Sequence, residues 1–397
     1  MRYLLIFAVF TPILLGSIFL FGSTNTINVT PEVEKIVSAI SGALNEKKIT
    51  GNQVKENKNQ DIPNQKPLDN TPSEIKGIYS TSWSAGTPSK INYLIDLIDT
   101  TEINALVVDI KDYSGVISYD IRIPEVEKYN TKEIRTPKIN SLIKRLHDKN
   151  IYVVGRVTVF QDPAIAKARP DLAIKDKSTR AVWKDNKGLS WIDPSSKEYW
   201  DYIISIARDA SARGFDEINF DYVRFPSDGN LNELEYPFYD SKTTTKADAI
   251  KSFFSYLREK TSGTKISADL FGLTTATIGD LGIGQVIEDA YLNFDYVDPM
   301  VYPSHYANGF LGYKNPAGFP YEVVKYSMDE ALKKLNVLSP IPQSKIRPWL
   351  QDFDLGAVYD AEKVRAQIKA VTDSGLHDGW ILWDPKNIYT KGALLDN

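Results

Sequence analysis

The sequence of 397 residues contains no cysteine and only three histidines. The absence of cysteine excludes disulfides, cysteine zinc sites and thiol catalysis. The histidines, His147, His305 and His377, are far apart and form neither an H-x-x-H nor an H-E-x-x-H pair. We therefore expect neither a histidine-based metal site nor a Ser-His-Asp triad.

The chain also lacks an excess of basic residues, since its formal net charge is -4. A protein that binds nucleic acid normally carries a basic surface, so no nucleic-acid partner is expected. The hydrophobic fraction of 42% and the charged fraction of 25% are those of an ordinary globular protein. The length allows one large domain or two smaller ones.

One long apolar run stands at the amino terminus, from Leu4 to Gly22, with Arg2 before it. At a rise of about 1.5 Å per residue, it approaches the thickness of a bilayer core, about 30 Å. The sequence therefore predicts that residues 1–22 are a transmembrane anchor, with the remaining chain outside the cytoplasm at the cell surface. The alternative is a cleaved signal segment and a secreted protein, but no A-x-A-like site follows Gly22.

The sequence predicts a linker over residues 23–75. Thr30-Pro31 is typical of the start of a helix, and the apolar spacing that follows predicts a short amphipathic helix. From Thr50 to Ser73 the chain is polar and rich in Asn, Gln, Lys and Asp, which is typical of a disordered spacer.

From Lys76 onward, short apolar β-branched runs alternate with seven amphipathic helical stretches. This alternation predicts βαβ units and a parallel sheet. Eight strands over residues 76–390 predict a (β/α)8 TIM barrel whose eighth helix is short or missing. A doubly wound open sheet is the alternative, but no glycine-rich fingerprint follows the first strand. The predicted strands are Gly77–Tyr79, Ala105–Ile110, Tyr152–Thr158, Glu217–Phe220, Lys265–Asp269, Tyr296–Val301, Ile346–Gln351 and Gly379–Trp383.

Aspartates stand at the carboxyl ends of four predicted strands: Asp109, Asp221, Asp269 and Asp384. In a TIM barrel the chemistry lies at these ends, although an aspartate there also commonly caps the next helix. Neighbouring strands would place the carboxylates of Asp221 and Asp269 roughly 5 to 7 Å apart. That range fits a catalytic carboxylate pair and leaves the retaining and inverting mechanisms both open.

Basic and aromatic side chains accompany this acidic pair. Arg156 and Arg224 are expected to keep one carboxylate ionised, or else to form structural ion pairs. The loops Gln161–Asp193 and Tyr302–Tyr321 are rich in aromatic residues, which suits either a sugar cleft or a plug over the barrel. The predicted substrate-binding residues are Asp109, Arg156, Arg224, Tyr302, His305, Gln351, Trp383, Asp384 and Trp191.

Several of these segments, taken together, resemble a bacterial family of barrel domains that is classed with the glycoside hydrolases. The resemblance spans nearly all of residues 76–390. It rests on the runs 77–79, 105–112, 155–157, 215–226, 267–272, 298–306, 347–353 and 379–385.

The resemblance implies a TIM barrel related to the α-amylase-like superfamily, with a nucleophile on the fourth strand at Asp221. The acid on the fifth strand is usually a glutamate in that superfamily, whereas this chain has Asp269. The third α-amylase-type carboxylate would fall on Asp352 or Asp354.

The sequence thus predicts a glycoside hydrolase that cleaves a cell-surface or extracellular polysaccharide, with Asp221 as nucleophile or base and Asp269 as acid. No cofactor is expected, because two carboxyl groups supply the proton transfers. One alternative is a non-catalytic carbohydrate-binding or envelope-scaffolding protein on a degenerate barrel. Another is a metal-dependent hydrolase that uses aspartate oxygens, although the low histidine count disfavours it.

Overall fold

The computed structural model describes residues 60–397. The predicted anchor at residues 1–22 and the predicted helix that follows Thr30 lie outside this range. Within residues 60–397 no helix combines the length and the apolar character that a membrane crossing requires.

Eight parallel strands close into a barrel, which confirms the predicted TIM-type architecture. Each strand pairs with its neighbours in chain order, and the eighth pairs with the first in parallel. The strands are β1 Ile75–Ser80, β2 Ala105–Lys111, β3 Tyr152–Thr158, β4 Glu217–Asp221, β5 Ile266–Phe271, β6 Tyr296–Val301, β7 with the two segments Lys345–Ile346 and Trp349–Gln351, and β8 Gly379–Trp383.

Seven α-helices follow the first seven strands and cover the outside of the barrel. Three of them begin at a residue whose side chain caps a free backbone N–H group: Ser196 accepts from the Tyr199 N–H at the start of α3, Thr245 from Asp248 at α4, and Asp360 from Lys363 at α7. The helices are α1 Pro88–Asp99, α2 Ile139–His147, α3 Lys197–Arg213, α4 Lys246–Lys260, α5 Ile287–Tyr291, α6 Pro320–Asn336 and α7 Ala361–Asp373.

Shorter elements lie in the loops. No α-helix follows β8 in the described chain, as the sequence predicted; a 3-10 turn at Lys391–Ala393 stands there instead. The remaining short α-helices are Ser82–Gly86, Pro124–Tyr129 and Pro163–Ala168, and the other 3-10 turns are Leu231–Glu233, Gly272–Thr275, Pro303–His305, Phe310–Gly312 and Pro316–Gly318.

The seventh strand is interrupted, whereas the sequence predicted one strand over Ile346–Gln351. Its first segment pairs only with β6, and its second pairs with both β6 and β8. The break falls at Arg347-Pro348, where proline has no N–H to donate to a neighbouring strand.

Alternation along the strands separates two buried regions. Outward-facing side chains such as Ile218 and Phe220 pack against the helices in the larger core. Inward-facing apolar side chains, among them Val107, Val154 and Trp349, form a smaller core inside the barrel. Polar inward-facing residues lie beside this inner core, and they build the site described below.

Residues 61–71, which the sequence assigned to the spacer, lie on the barrel instead. The Asp61 carboxylate accepts hydrogen bonds from the backbone N–H groups of Asn140 and Ser141 at the start of α2. The Leu68 N–H donates to Asp216 at 2.6 Å, and the Leu68 side chain packs against the inner core. The folded unit therefore begins before β1, and these residues close its amino-terminal face.

Candidate active site

Three carboxylates meet around one guanidinium at the carboxyl ends of β2 to β5. Arg156, on β3, donates from Nη1 to Asp109 Oδ1 at 2.6 Å and from Nη2 to the Asp221 carboxylate. Its Nε lies 3.5 Å from Asp269 Oδ2. Asp109 and Arg156 are register partners on neighbouring strands, so the barrel itself brings them together. Arg156 thus stabilises negative charge on Asp109 and Asp221.

Asp269 has a different environment from Asp221, because neutral donors hold it. Its Oδ1 accepts a hydrogen bond from Asn219 Nδ2 at 2.8 Å and another from Trp349 Nε1 at 2.7 Å. Burial, followed by the charge of Asp221, raises the pKa of Asp269 well above its usual value, although Arg156 opposes this shift. Asp269 is therefore suited to hold a proton, as a general acid must.

Asp109 is held from two sides. The Tyr79 hydroxyl donates to its Oδ2 at 2.5 Å, and Arg156 occupies its Oδ1. Burial raises the pKa of Asp109, while Arg156 and Tyr79 act to lower it. With both oxygens occupied, Asp109 fixes the position of Arg156.

Asp221 lies at a sharp turn in the backbone. The next residue, Tyr222, has a φ of 54°, which is uncommon for a residue other than glycine. The Tyr222 N–H donates to Asp221 Oδ1 at 2.5 Å, so the turn also holds the carboxylate. Strained backbone of this kind is often found at functional sites, where it aims a side chain.

A second charged layer lies below the first, fully inside the barrel. Arg347 donates to Glu217 Oε1 at 2.6 Å and to Asp298 Oδ2 at 2.7 Å, and all three side chains are completely buried. Ser267 donates to Glu217 and accepts from Asn219 at 2.9 Å. Asn219 therefore links the lower layer to Asp269 above it.

The opposite half of the barrel mouth, at β6 to β8, is aromatic. The rings of Tyr302 and Trp383 stack with centroids 5.4 Å apart and an interplanar angle of 28°. Phe353 packs edge-on against both rings, and the ring centroids of His305 and Tyr302 are 5.3 Å apart. Burial, then the charges of Asp269 and Asp221, raise the pKa of Tyr302, so this aromatic cluster borders the carboxylates.

Three of the predicted substrate-binding residues contact neighbouring parts of the protein in this structure. Gln351 is fully buried; its Oε1 accepts from the Ser304 N–H and its Nε2 donates to the Phe353 carbonyl. Asp384 accepts from the backbone N–H groups of Lys386 and Ile388 and caps that turn. Trp191 is only 2% exposed, so its ring offers no free face to a sugar.

Arg224 was expected to contact a catalytic carboxylate, and in the structure it does not. Its Nη1 donates to the Phe225 carbonyl and to Ser227 Oγ instead. The two alternatives for a third carboxylate also bind loop groups: Asp352 accepts from Thr390, and Asp354 accepts from the Tyr359 N–H.

The sequence prediction missed three residues that hold the carboxylates: Tyr79, Asn219 and Trp349. Asn219 is two residues before Asp221, and Trp349 is two residues before Gln351, so their inward orientation could be predicted from strand alternation. The partners across the barrel could not be predicted, because alternation along one strand carries no information on which opposite strand a side chain reaches.

Between residues 60 and 397 no group of three or more His, Cys, Asp or Glu side chains is arranged to hold a metal ion. The carboxylates of this site are directed at Arg156 and at neutral donors instead.

Comparisons with known proteins bear on the family and on the fold. A family model described as "Putative glycosyl hydrolase domain" matches residues 77–389. The crystal structure of a hypothetical protein from Ruminiclostridium thermocellum is 38% identical over 48% of this chain and 96% of its own, with a TM-score of 0.45. No curated protein matches the chain.

More distant solved structures include glycoside hydrolases. The PgaB (BpsB) glycoside hydrolase domain from Bordetella bronchiseptica is 14% identical, covers 82% of this chain and 99% of its own, and has a TM-score of 0.57. An alpha-galactosidase from Thermus thermophilus is 13% identical over 82% of this chain and 60% of its own, with a TM-score of 0.48. At these identities the likeness concerns the fold alone.

Proposed function

Because the chain belongs to the glycosyl hydrolase domain family that its residues 77–389 match, we propose that it cleaves glycosidic bonds with Asp221 and Asp269. Asp221 acts as nucleophile or as the base for an attacking water, and Asp269 acts as general acid. The polypeptide itself supplies both groups, so the reaction needs no cofactor.

One observation carries this proposal: the two carboxyl groups border the same guanidinium but have opposite environments. Asp221 receives a charged donor, Arg156 Nη2, which favours a carboxylate anion. Asp269 is buried among neutral donors, and its pKa is raised well above its usual value. The roles of acid and base require two carboxyl groups whose environments differ in this way, so that one favours the protonated form and the other the anion.

The contacts of Asp269 also indicate where its proton resides. Oδ1 accepts two N–H donors, from Asn219 and Trp349, and is therefore an acceptor. The proton of the neutral acid then belongs on Oδ2. From there it passes to the glycosidic oxygen as the bond to the anomeric carbon breaks, and Asp221 or its water attacks that carbon.

The aromatic half of the mouth gives the sugar a binding surface. Trp383 and Phe353 are only partly buried, and their rings border Tyr302, which in turn borders the carboxylates. Apolar ring faces of this kind bind the C–H faces of sugars, while His305, which is exposed, offers a polar contact at the edge.

We propose further that the substrate is a cell-surface or extracellular polysaccharide. This rests on the apolar run from Leu4 to Gly22, which predicts an anchor that leaves the barrel outside the cytoplasm. A secreted form would meet the same class of substrate.

The test is release of reducing ends from a panel of bacterial surface polysaccharides by the full chain. Asp221→Asn removes the charge of the attacking group, and Asp96→Asn, at an exposed position on α1, is the matched control. The proposal predicts release by the wild type and by Asp96→Asn, and a loss of roughly 10³-fold or more in Asp221→Asn. Binding of a glycan by all three proteins without release by any would favour the non-catalytic carbohydrate-binding protein.

A further inference from the structure

Arg224 lies in an aromatic box beside the candidate active site. Its guanidinium carbon is 4.8 Å from the Trp191 ring, 4.7 Å from the Phe271 ring and 5.2 Å from the Tyr222 ring. Tyr222 directly follows Asp221, and Phe271 comes two residues after Asp269. The box is therefore built on the ends of the two strands that carry the catalytic pair.

Among residues 60–397, only one end of this guanidinium is hydrogen-bonded. Nη1 donates to the Phe225 carbonyl at 3.0 Å and to Ser227 Oγ at 3.1 Å. Nε and Nη2 donate no hydrogen bond to any described residue. Some polar side-chain atoms of residues 60–397 are fully buried and lack a hydrogen-bond partner, but Nε and Nη2 of Arg224 are not among them. The edge formed by Nε and Nη2 is thus accessible, and it is the edge that binds an oxyanion with two parallel hydrogen bonds.

Arg347 is a second buried arginine of this barrel, and it has carboxylate partners. It is fully buried and contacts two carboxylates, Glu217 and Asp298. Arg224 is 7% exposed and forms no ion pair with a described carboxylate. Burying an unpaired charge costs several kcal/mol, so a structural role alone would favour a neutral side chain at this position.

The acidic groups whose charge acts on Arg224 do not form an ion pair with it. Asp221, Asp228 and Asp185 are close enough to act on Arg224 through their charge, yet burial outweighs them and lowers the pKa of the Arg224 guanidinium. Asp185 is instead held by Trp191 Nε1 at 3.0 Å, and Asp228 accepts from the Asn186 N–H. An anionic group on a ligand would offset the cost of burying the charge of Arg224.

We propose that the Nε–Nη2 edge of Arg224 binds an anionic group, a carboxylate or a phosphate, on a sugar unit adjacent to the bond that is cleaved. The substrate is then an acidic polysaccharide. This inference rests on the proposed function, because that function makes the ligand a glycan. It concerns binding, however, and does not require that the protein cleave the glycan.

The test compares ligands that differ only in charge. Affinities are measured by titration calorimetry with the full chain carrying Asp221→Asn, so that no turnover disturbs the equilibrium. The carboxylate arm uses oligosaccharides of polygalacturonate and of alginate, each against its carboxyl-reduced form. The phosphate arm uses dextran phosphate against dextran. The proposal predicts that at least one anionic ligand binds more tightly than its neutral partner, and the arm that shows this identifies the group.

Arg224→Gln, added to the same background, should reduce this preference by roughly 10- to 100-fold, the usual range for a charge-assisted contact. Arg224→Lys should retain part of the preference, because lysine keeps the positive charge but cannot form two parallel hydrogen bonds. Arg145→Gln, at an exposed position on α2, is the control and should retain all of it.

Three results would overturn the proposal. The first is the absence of any preference for an anionic ligand in the protein that carries Asp221→Asn alone. This result needs no Arg224 variant, so it can be obtained even if Arg224→Gln does not fold. The second is an equal loss of affinity for both members of a pair, which would make Arg224 a structural clamp. The third is a full preference retained in Arg224→Gln. If the wild type lacks turnover but the preference is found, the proposed hydrolase activity fails and the anion site stands.

Discussion

Trp349, on β7, donates a hydrogen bond from its indole Nε1 to Oδ1 of Asp269, on β5, at 2.7 Å. The contact crosses the inside of the barrel, and both side chains are almost completely buried. Together with Asn219 Nδ2, it occupies Oδ1 of Asp269, whereas Oδ2 accepts no hydrogen bond from a described residue and lies 3.5 Å from Arg156 Nε. Asp269 thereby has a fixed orientation as well as a raised pKa, and both properties suit a general acid.

The role of Asp269 as acid can be tested with substrates that differ in their leaving group. Asp269→Asn should reduce cleavage of the natural polysaccharide by roughly 10²- to 10⁴-fold, because its leaving oxygen needs a proton. An aryl glycoside whose leaving group is a good one needs no proton, so its rate should fall far less. The measurement is kcat/KM for both substrates in both proteins. An equal loss on the two substrates would show that Asp269 is not the acid.

Arg156 is expected to stabilise the fold as well as the site, since it neutralises Asp109 and Asp221 at low exposure. Arg156→Gln leaves these buried charges unpaired and should lower the free energy of unfolding by about 3 to 5 kcal/mol at pH 8. Arg156 also lowers the pKa of Asp109, so its loss raises that pKa further above the unfolded value. The destabilisation should therefore grow as pH rises and be small near pH 4. Urea unfolding at the two pH values measures this; a pH-independent loss would contradict it.

Asp61 supplies a helix cap that α2 lacks in its own sequence. Lys138, the N-cap residue, makes no side-chain cap hydrogen bond, and the Asp61 carboxylate accepts from Asn140 and Ser141 instead. Asp61→Ala should therefore lower the free energy of unfolding by about 1 kcal/mol. Asp69→Ala, at an exposed position in the same segment, should have no effect. Equal stabilities of the two variants would show that residues 61–71 do not support the barrel.

Asp352 should make stability depend on pH. Burial raises its pKa to about 6, even though Thr390 donates to both of its oxygens. A folded pKa above the unfolded value of about 3.9 means that the native state loses stability as pH rises from about 4 to 6, by up to roughly 3 kcal/mol. Asp352→Asn cannot ionise, so its stability relative to the wild type should increase across this window. A difference that stays constant between pH 4 and 6 would refute this.

The strands were predictable because each one is a short apolar run between polar turns, and the carboxyl ends of parallel strands meet at one face of a barrel. Asp109, Asp221 and Asp269 were therefore identified together from the sequence, and the structure places all three around Arg156. This part of the site follows from local alternation plus the rule for the location of chemistry in barrels.

Other features depend on contacts between distant segments. Asp61 lies in a polar stretch whose composition is typical of a spacer, and only its contacts with α2 reveal that it is folded. Trp191 and Arg224 cover one another, so their exposure could not be judged from either residue alone. The break in β7 was foreseeable in principle, because Pro348 cannot donate to a neighbouring strand.

The central claim is that a protonated Asp269 and an ionised Asp221 act together, and the pH dependence of kcat/KM tests it most directly. With the natural polysaccharide, the wild type should lose activity on the basic side, as Asp269 loses its proton at a pKa above the usual carboxyl range. With the aryl glycoside, whose leaving group needs no proton, the wild type should show a much weaker loss on the basic side. An equally steep basic limb with both substrates would contradict the assignment of Asp269 as the acid and, with it, the proposed mechanism.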